Sequence, residues 1–129
     1  MAIGFEQALS VHAQALTVRS RRAEILAANL ANADTPNYRA RDLDFKATLA
    51  GLQGRDGPLR ATHALHLQAR GDTPGEPLYR TPAQMAIDGN TVEEEQEKAA
   101  FSDNALRYQA SLQLLGNRVQ GLLSAIRGE

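Results

Sequence analysis

Residues 91–127 read TVEEEQEKAAFSDNALRYQASLQLLGNRVQGLLSAIR. Within them Phe101, Ala105, Tyr108, Leu112, Leu115, Val119, Leu122 and Ile126 recur at alternating steps of four and three without a polar interruption. That spacing returns side chains to one face of a helix, and close to four heptads of it predicts a coiled-coil-like face. The start is marked too. Thr91 and Glu94 stand at the capping-box spacing, in which hydroxyl and carboxylate satisfy free backbone N–H groups. Glu93, Glu94, Glu95 and Glu97 fall where the helix dipole favours negative charge, with Arg118 and Arg127 towards the opposite end. Gly116 and Gly121 each weaken a helix by about 1 kcal/mol relative to Ala. They read either as tolerated weakness near a fraying end or as sites where helices approach closely in a crowded assembly. Their place beside the seam favours the second.

A second helical pattern fills residues 1–32. Phe5, Leu9, His12, Leu16, Arg19, Ala23, Leu26 and Leu30 keep the same spacing, with His12 and Arg19 as polar exceptions. Beside it runs a stripe of Val11, Ala15, Val18, Arg22 and Ile25. Two adjacent stripes predict contact with more than one neighbour. Residues 47–90 carry most of the glycines and prolines, and no period lasts there. Leu65–Gln68 and Leu78–Arg80 are candidate short extended pieces, and a loop this long is a functional or disordered segment. The chain is therefore expected to be one mainly α domain over 1–129. Its long N- and C-terminal helices (1–32 and 91–128) pair as an antiparallel coiled-coil-like hairpin. A turn and extension occupy 33–46, and an irregular Gly/Pro-rich segment 47–90.

Composition narrows the function. At 129 residues with a net charge of −1, the chain lacks the strong basic excess of an electrostatic nucleic-acid binder. No Cys is present, which excludes disulfides and thiolate metal sites. Aromatics are 5% and Trp is absent, so the core must rest on Leu and Ala, as helix-on-helix packing does. No run approaches the ~20 apolar residues of a membrane span. The N-terminus lacks the basic patch and apolar block of a cleaved secretory signal, leaving export by another route open. Such helices depend mainly on tertiary packing. They are expected to be marginal alone and to become ordered against neighbouring subunits.

The candidate chemical motifs are weak. His63 and His66 lack a third ligand nearby and read as solvent-facing. Arg70-Gly71-Asp72 reads as a turn. Arg19-Ser20-Arg21-Arg22 reads as a solvated or subunit-facing strip, with the Glu93–Glu97 run as a candidate partner. No nucleophile elbow or phosphate loop appears. No catalytic, cofactor-binding or metal-ligating set is expected, and the enzyme reading has nothing to stand on.

The remaining feature is the turn after the first helix, Ala27-Ala28-Asn29-Leu30-Ala31-Asn32-Ala33-Asp34-Thr35-Pro36-Asn37-Tyr38-Arg39. Pro36 pushes Thr35 out of helical geometry. Asn32 and Asp34 can close the helix with side-chain bonds, and Asn37 tolerates positive φ. Read plainly, it stops a helix; read more sharply, it and the segment from Tyr38 to Phe45 pack on a partner. This stretch resembles the signature of bacterial flagellar rod and hook proteins, usually Ala-Asn-x-x-Asn-x-x-Thr-Pro-Gly-Tyr. Asn37 stands where that family commonly has Gly. Arg41–Phe45, Asp88–Val92 and Phe101–Gln109 extend the likeness and narrow it to the short members of the proximal rod.

The resemblance implies a non-enzymatic building block of the flagellar basal-body rod. It would be exported by the flagellar type III apparatus without a cleaved signal. It would assemble with copies of itself, with the rod proteins FlgC and FlgF, the adaptor FliE and the MS-ring protein FliF. Its terminal helices would surround the export channel and transmit torque. The signature residues would be Asn29, Asn32, Thr35, Pro36, Asn37 and Tyr38. The assembly seam would comprise Phe5, Leu9, Leu16, Leu26, Leu30, Phe101, Tyr108, Leu112, Leu115, Val119, Leu122 and Ile126. The competing readings are the closely related rod protein FlgC and a helical-hairpin adaptor or chaperone of a secretion system, which would be a folded monomer or dimer rather than a polymer subunit.

Overall fold

The computed structural model describes residues 5–53, 75–84 and 86–128, with side chains from residue 9 onward. Two long helices dominate: α1 Phe5–Ala31 and α3 Glu94–Arg127. At ~1.5 Å per residue they are about 40 and 50 Å long. They run antiparallel, since Asn29 of α1 meets Glu97 of α3 while Arg19 meets Ser111. The expected helical hairpin is therefore present. No helix among the described residues is long and apolar enough to cross a membrane.

Between the helices the described residues 38–53 and 75–80 fold back onto the hairpin. Strand β1, Arg41–Asp42, pairs antiparallel with β2, Leu78–Tyr79, in the register Arg41 with Tyr79 and Asp42 with Leu78. A third helix, α2 Phe45–Leu52, lies where no regular element was expected. Asp44 caps it, its Oδ1 accepting from the Ala47 amide at 3.0 Å. Thr48 is buried, and the Phe45 ring sits beneath the Arg19 guanidinium, 4.0 Å from its centroid. The Asp44 cap was the signal for this helix, but eight residues are too few for a periodic pattern to declare itself. His63, His66, the Leu65–Gln68 piece and Arg70-Gly71-Asp72 lie outside the described residues.

Two local expectations need correction. The Thr91–Glu94 capping box does not form. Thr91 Oγ1 accepts from the Ala40 amide at 2.8 Å, and the helix starts at Glu94 behind an extended Glu93 without a side-chain cap bond. Ala40 is buried and its N–H must find a partner inside, whereas water can satisfy an exposed helix end. The basic cluster also does not pair with the Glu93–Glu97 run. Arg22 binds Asp42, which the folded-back segment brings to α1, and Glu97 is taken by Arg80.

The buried apolar side chains described are Ala15, Val18, Leu26, Ala40 and Leu43. The first three belong to α1, the others to the segment folded on it, and none to α3. The α3 side chains that are fully buried are Glu97 and Asn104.

Candidate functional site

The turn is built by three asparagines, each answering a different backbone shortage. A helix leaves its last carbonyls without partners. Beyond the helix, Asn90 Nδ2 serves the turn that follows α1, donating to the carbonyls of Asn32, Ala33 and Thr35 at 3.1, 2.6 and 3.1 Å. Asn32 contributes locally: its Nδ2 donates to Ala28 O at 2.8 Å and its Oδ1 accepts from Thr35 Oγ1 at 3.1 Å. Asp34, expected to share this work, is exposed and does not appear in the network. Asn29 is fully buried and imitates a strand. Its Oδ1 accepts from the Arg41 amide at 3.1 Å and its Nδ2 donates to Arg41 O at 2.7 Å, locking β1 onto α1.

Asn37 adopts φ +60, the left-handed conformation its position demands. It stands where the resembled signature usually has Gly and takes the left-handed conformation itself, because Asn reaches this region more readily than other side chains. Its amide donates to Asp88 O at 3.0 Å. Opposite it, Gly89 has φ +75, and a Cβ there would lie 2.6 Å from Asn37 Oδ1. Asp88-Gly89-Asn90 is thus the other half of the turn, though it lies some fifty residues away in sequence.

Beside the turn lies an ion network. Arg22 donates twice to Asp42, at 2.9 Å through Nε and 2.9 Å through Nη2. Arg80 bridges Asp42 Oδ2, at 2.7 Å, and Glu97 Oε1. Glu97 Oε2 accepts from Asn29 Nδ2 at 3.1 Å. Burial alone would raise the Asp42 pKa, but the bonds from Arg22, Arg80 and the Leu43 amide outweigh it and the carboxyl is held below its usual value. The same bond from Asp42 raises the Arg22 pKa. α1, β1, the residue that follows β2 and α3 all meet in this network.

Of the residues foreseen for the turn, Asn29, Asn32, Thr35, Asn37 and Tyr38 all meet here, Tyr38 closing the ring through its carbonyl to the Thr91 amide at 3.0 Å. Pro36 is exposed. Asp42, Leu43 and Phe45, expected to reach a neighbour, turn inward instead: Asp42 binds Arg22 and Arg80, Leu43 is buried and Phe45 is half-buried. Glu97, Arg80, Asn90 and Asn104 were missed as site residues. The sequence reads Glu97 as a dipole partner and as part of an acidic run facing the basic cluster; the polar line seven residues apart, Glu97, Asn104, Ser111, Arg118, is the signal that marks it out.

The seam residues are divided. Leu26 is buried; Leu9, Leu16, Leu30, Leu115 and Leu122 are half-buried. Phe101, Tyr108, Leu112, Val119 and Ile126 are exposed, Leu112 by 52% and Ile126 by 68%. The side chain of Phe5 lies outside the description. A shallow groove beside Tyr108 is lined by Leu16, Ser20 and Glu24 of α1.

Comparison of the sequence with known proteins matches the chain to a family. A family model described as "Flagella basal body rod protein" matches residues 9–39, which span the interior of α1 and the signature turn. The flagellar basal body rod protein FlgB of Cereibacter sphaeroides is 52% identical over 98% of this chain and 98% of its own length. FlgB of Aeromonas hydrophila is 45% identical over 100% and 99%, and that of Escherichia coli 42% over 95% and 94%. The chain belongs to the FlgB family of flagellar basal body rod proteins. It is a structural, non-enzymatic subunit of the flagellar basal-body rod, and the adaptor or chaperone reading falls away. In this FlgB family member, Asn32 closes α1, Asn37 sets the left-handed turn after it, and Asn29 fastens β1 to the helix.

Proposed function

We propose that the subunit builds the proximal rod by covering the exposed apolar stripe of α3 with terminal helices of neighbouring subunits. The observation that carries this reading is that α3 buries no large apolar side chain within the described chain, while Phe101, Tyr108, Leu112, Val119 and Ile126 stand exposed. A contiguous apolar face of that kind marks an interaction site. The neighbours are copies of the same chain and the rod proteins FlgC and FlgF, with FliE and the MS-ring protein FliF at the base. Packed in this way the terminal helices surround the export channel and carry torque, and the subunit reaches its place through the flagellar type III apparatus. Gly116 and Gly121 fit such packing, because a Cβ at either would meet nothing within 4 Å in the single chain, leaving room for a neighbour's backbone.

The test is a charge in the stripe. Val119→Asp should abolish swimming and remove the subunit from purified basal bodies while leaving synthesis unchanged. Normal motility would overturn the assignment of the stripe to assembly.

A further inference from the structure

Helix α3 carries two overlapping heptad seams. Both share Phe101, Tyr108, Leu115 and Leu122. One is completed by Ala105, Leu112, Val119 and Ile126 and is apolar throughout. The other is completed by Glu97, Asn104, Ser111 and Arg118 and is polar at every one of those positions. A hairpin selected for its own stability would bury the first. This chain turns the second towards α1. Glu97 Oε2 accepts from Asn29 Nδ2 at 3.1 Å, Asn104 Nδ2 donates to the Arg19 carbonyl at 2.9 Å, and Ser111 Oγ accepts from Arg19 Nε at 3.3 Å. At ~3.6 residues per turn, the centre of the apolar seam lies roughly 50° around α3 from the residues that face α1.

That choice is unfavourable for the isolated chain. Glu97 is 0% exposed, and a buried ion pair is often no better than well-packed apolar side chains of the same volume. Asn104 is 1% exposed, and its Oδ1 meets no hydrogen-bond donor of the chain. Each polar contact is directional, however, and fixes rotation in a way that leucines would not. Asn104 reaches a main-chain carbonyl in the middle of α1, so it sets both the rotation and the axial position of α3.

We propose that Glu97, Asn104 and Ser111 form a polar line that holds α3 rotated on α1, so that the apolar seam stays presented to a second subunit instead of closing on the subunit's own helix. This rests on the reading of that seam as the assembly surface. The positions act through rotation, as positioning residues for assembly.

The test compares three full-length variants. In Asn104→Leu, and in Glu97→Leu combined with Arg80→Met and Asn104→Leu, the hairpin can rotate its apolar seam inward. Both should raise the urea midpoint of the isolated chain, followed by circular dichroism. Both should also reduce swimming to the level of a strain lacking the subunit. Swimming at the parental level in both variants would overturn the proposal. So would a fall in the urea midpoint for Asn104→Leu, which leaves every ion pair intact, since the line would then be a stabilising element. The third variant, Val119→Asp, separates the two readings. If it swims normally, the seam itself is not the assembly surface; if it does not swim while the leucine variants do, the seam stands and the polar line is dispensable.

Discussion

Asn29→Asp exchanges one amide nitrogen for oxygen and leaves the volume unchanged, so its effect isolates the chemistry at the centre of the hairpin. Asn29 Nδ2 lies 3.1 Å from Glu97 Oε2 and 2.7 Å from the Arg41 carbonyl. A second carboxylate at that separation from Glu97 repels it by about 5 kcal/mol at an effective dielectric constant of ~20. The folded chain has a less costly alternative, which is to keep one of the two carboxyls protonated. That costs about 1.4 kcal/mol per pH unit above an ordinary pKa near 4, or about 4 kcal/mol at pH ~7. The lost bond to the Arg41 carbonyl adds about 1 kcal/mol. A deficit of about 4–5 kcal/mol is comparable to the whole stability of many domains.

The pair's folded pKa is raised above its unfolded value, so the deficit is largest at neutral pH and shrinks as pH falls towards the unfolded value. At pH ~5 about 2 kcal/mol should remain. Urea titrations followed by far-ultraviolet circular dichroism at the two pH values measure it. A parental midpoint at neutral pH would refute the account of Asn29 as the donor to Glu97. A deficit that does not shrink with pH would show that charge repulsion is not its cause.

Asp42 has the opposite sign. Its pKa is held low in the fold, so the stability it contributes is present above the unfolded pKa near ~4 and is lost as pH falls through the folded value. Asp42→Asn should flatten that part of the acid titration of stability, and an unchanged acid limb would count against the arginine bridge. Asn37→Val places a β-branched side chain at φ +60 and should destabilise the turn by about 1–2 kcal/mol, whereas Asn37→Gly should preserve assembly. Equal motility and equal urea midpoints for the two would show that the left-handed conformation is not required. Asn90→Ala removes the donor shared by three carbonyls of the turn that follows α1 and should cost about 2 kcal/mol, read as faster hydrogen exchange at residues 28–35. Unchanged exchange there would show that the turn does not depend on that donor.

Both long helices were legible because their apolar residues repeat at a helical period, and the turn because Pro36 and Asn37 constrain backbone geometry through their own covalent structure. Those are local causes, and the sequence determines them alone. It also carries the apolar stripe of α3 in full. What the tertiary structure decided is which side of that stripe α1 takes. Glu97, four residues into a helix rich in glutamate, reads as a solvated dipole partner until Arg80 and Asn29, 17 and 68 residues away, close on it. Thr91 reads as a cap until the Ala40 amide, 51 residues away, claims its hydroxyl. Periodicity names the faces of a helix, but a buried polar group is satisfied by whatever the chain's return path brings to it. That path runs through a segment with no period to read.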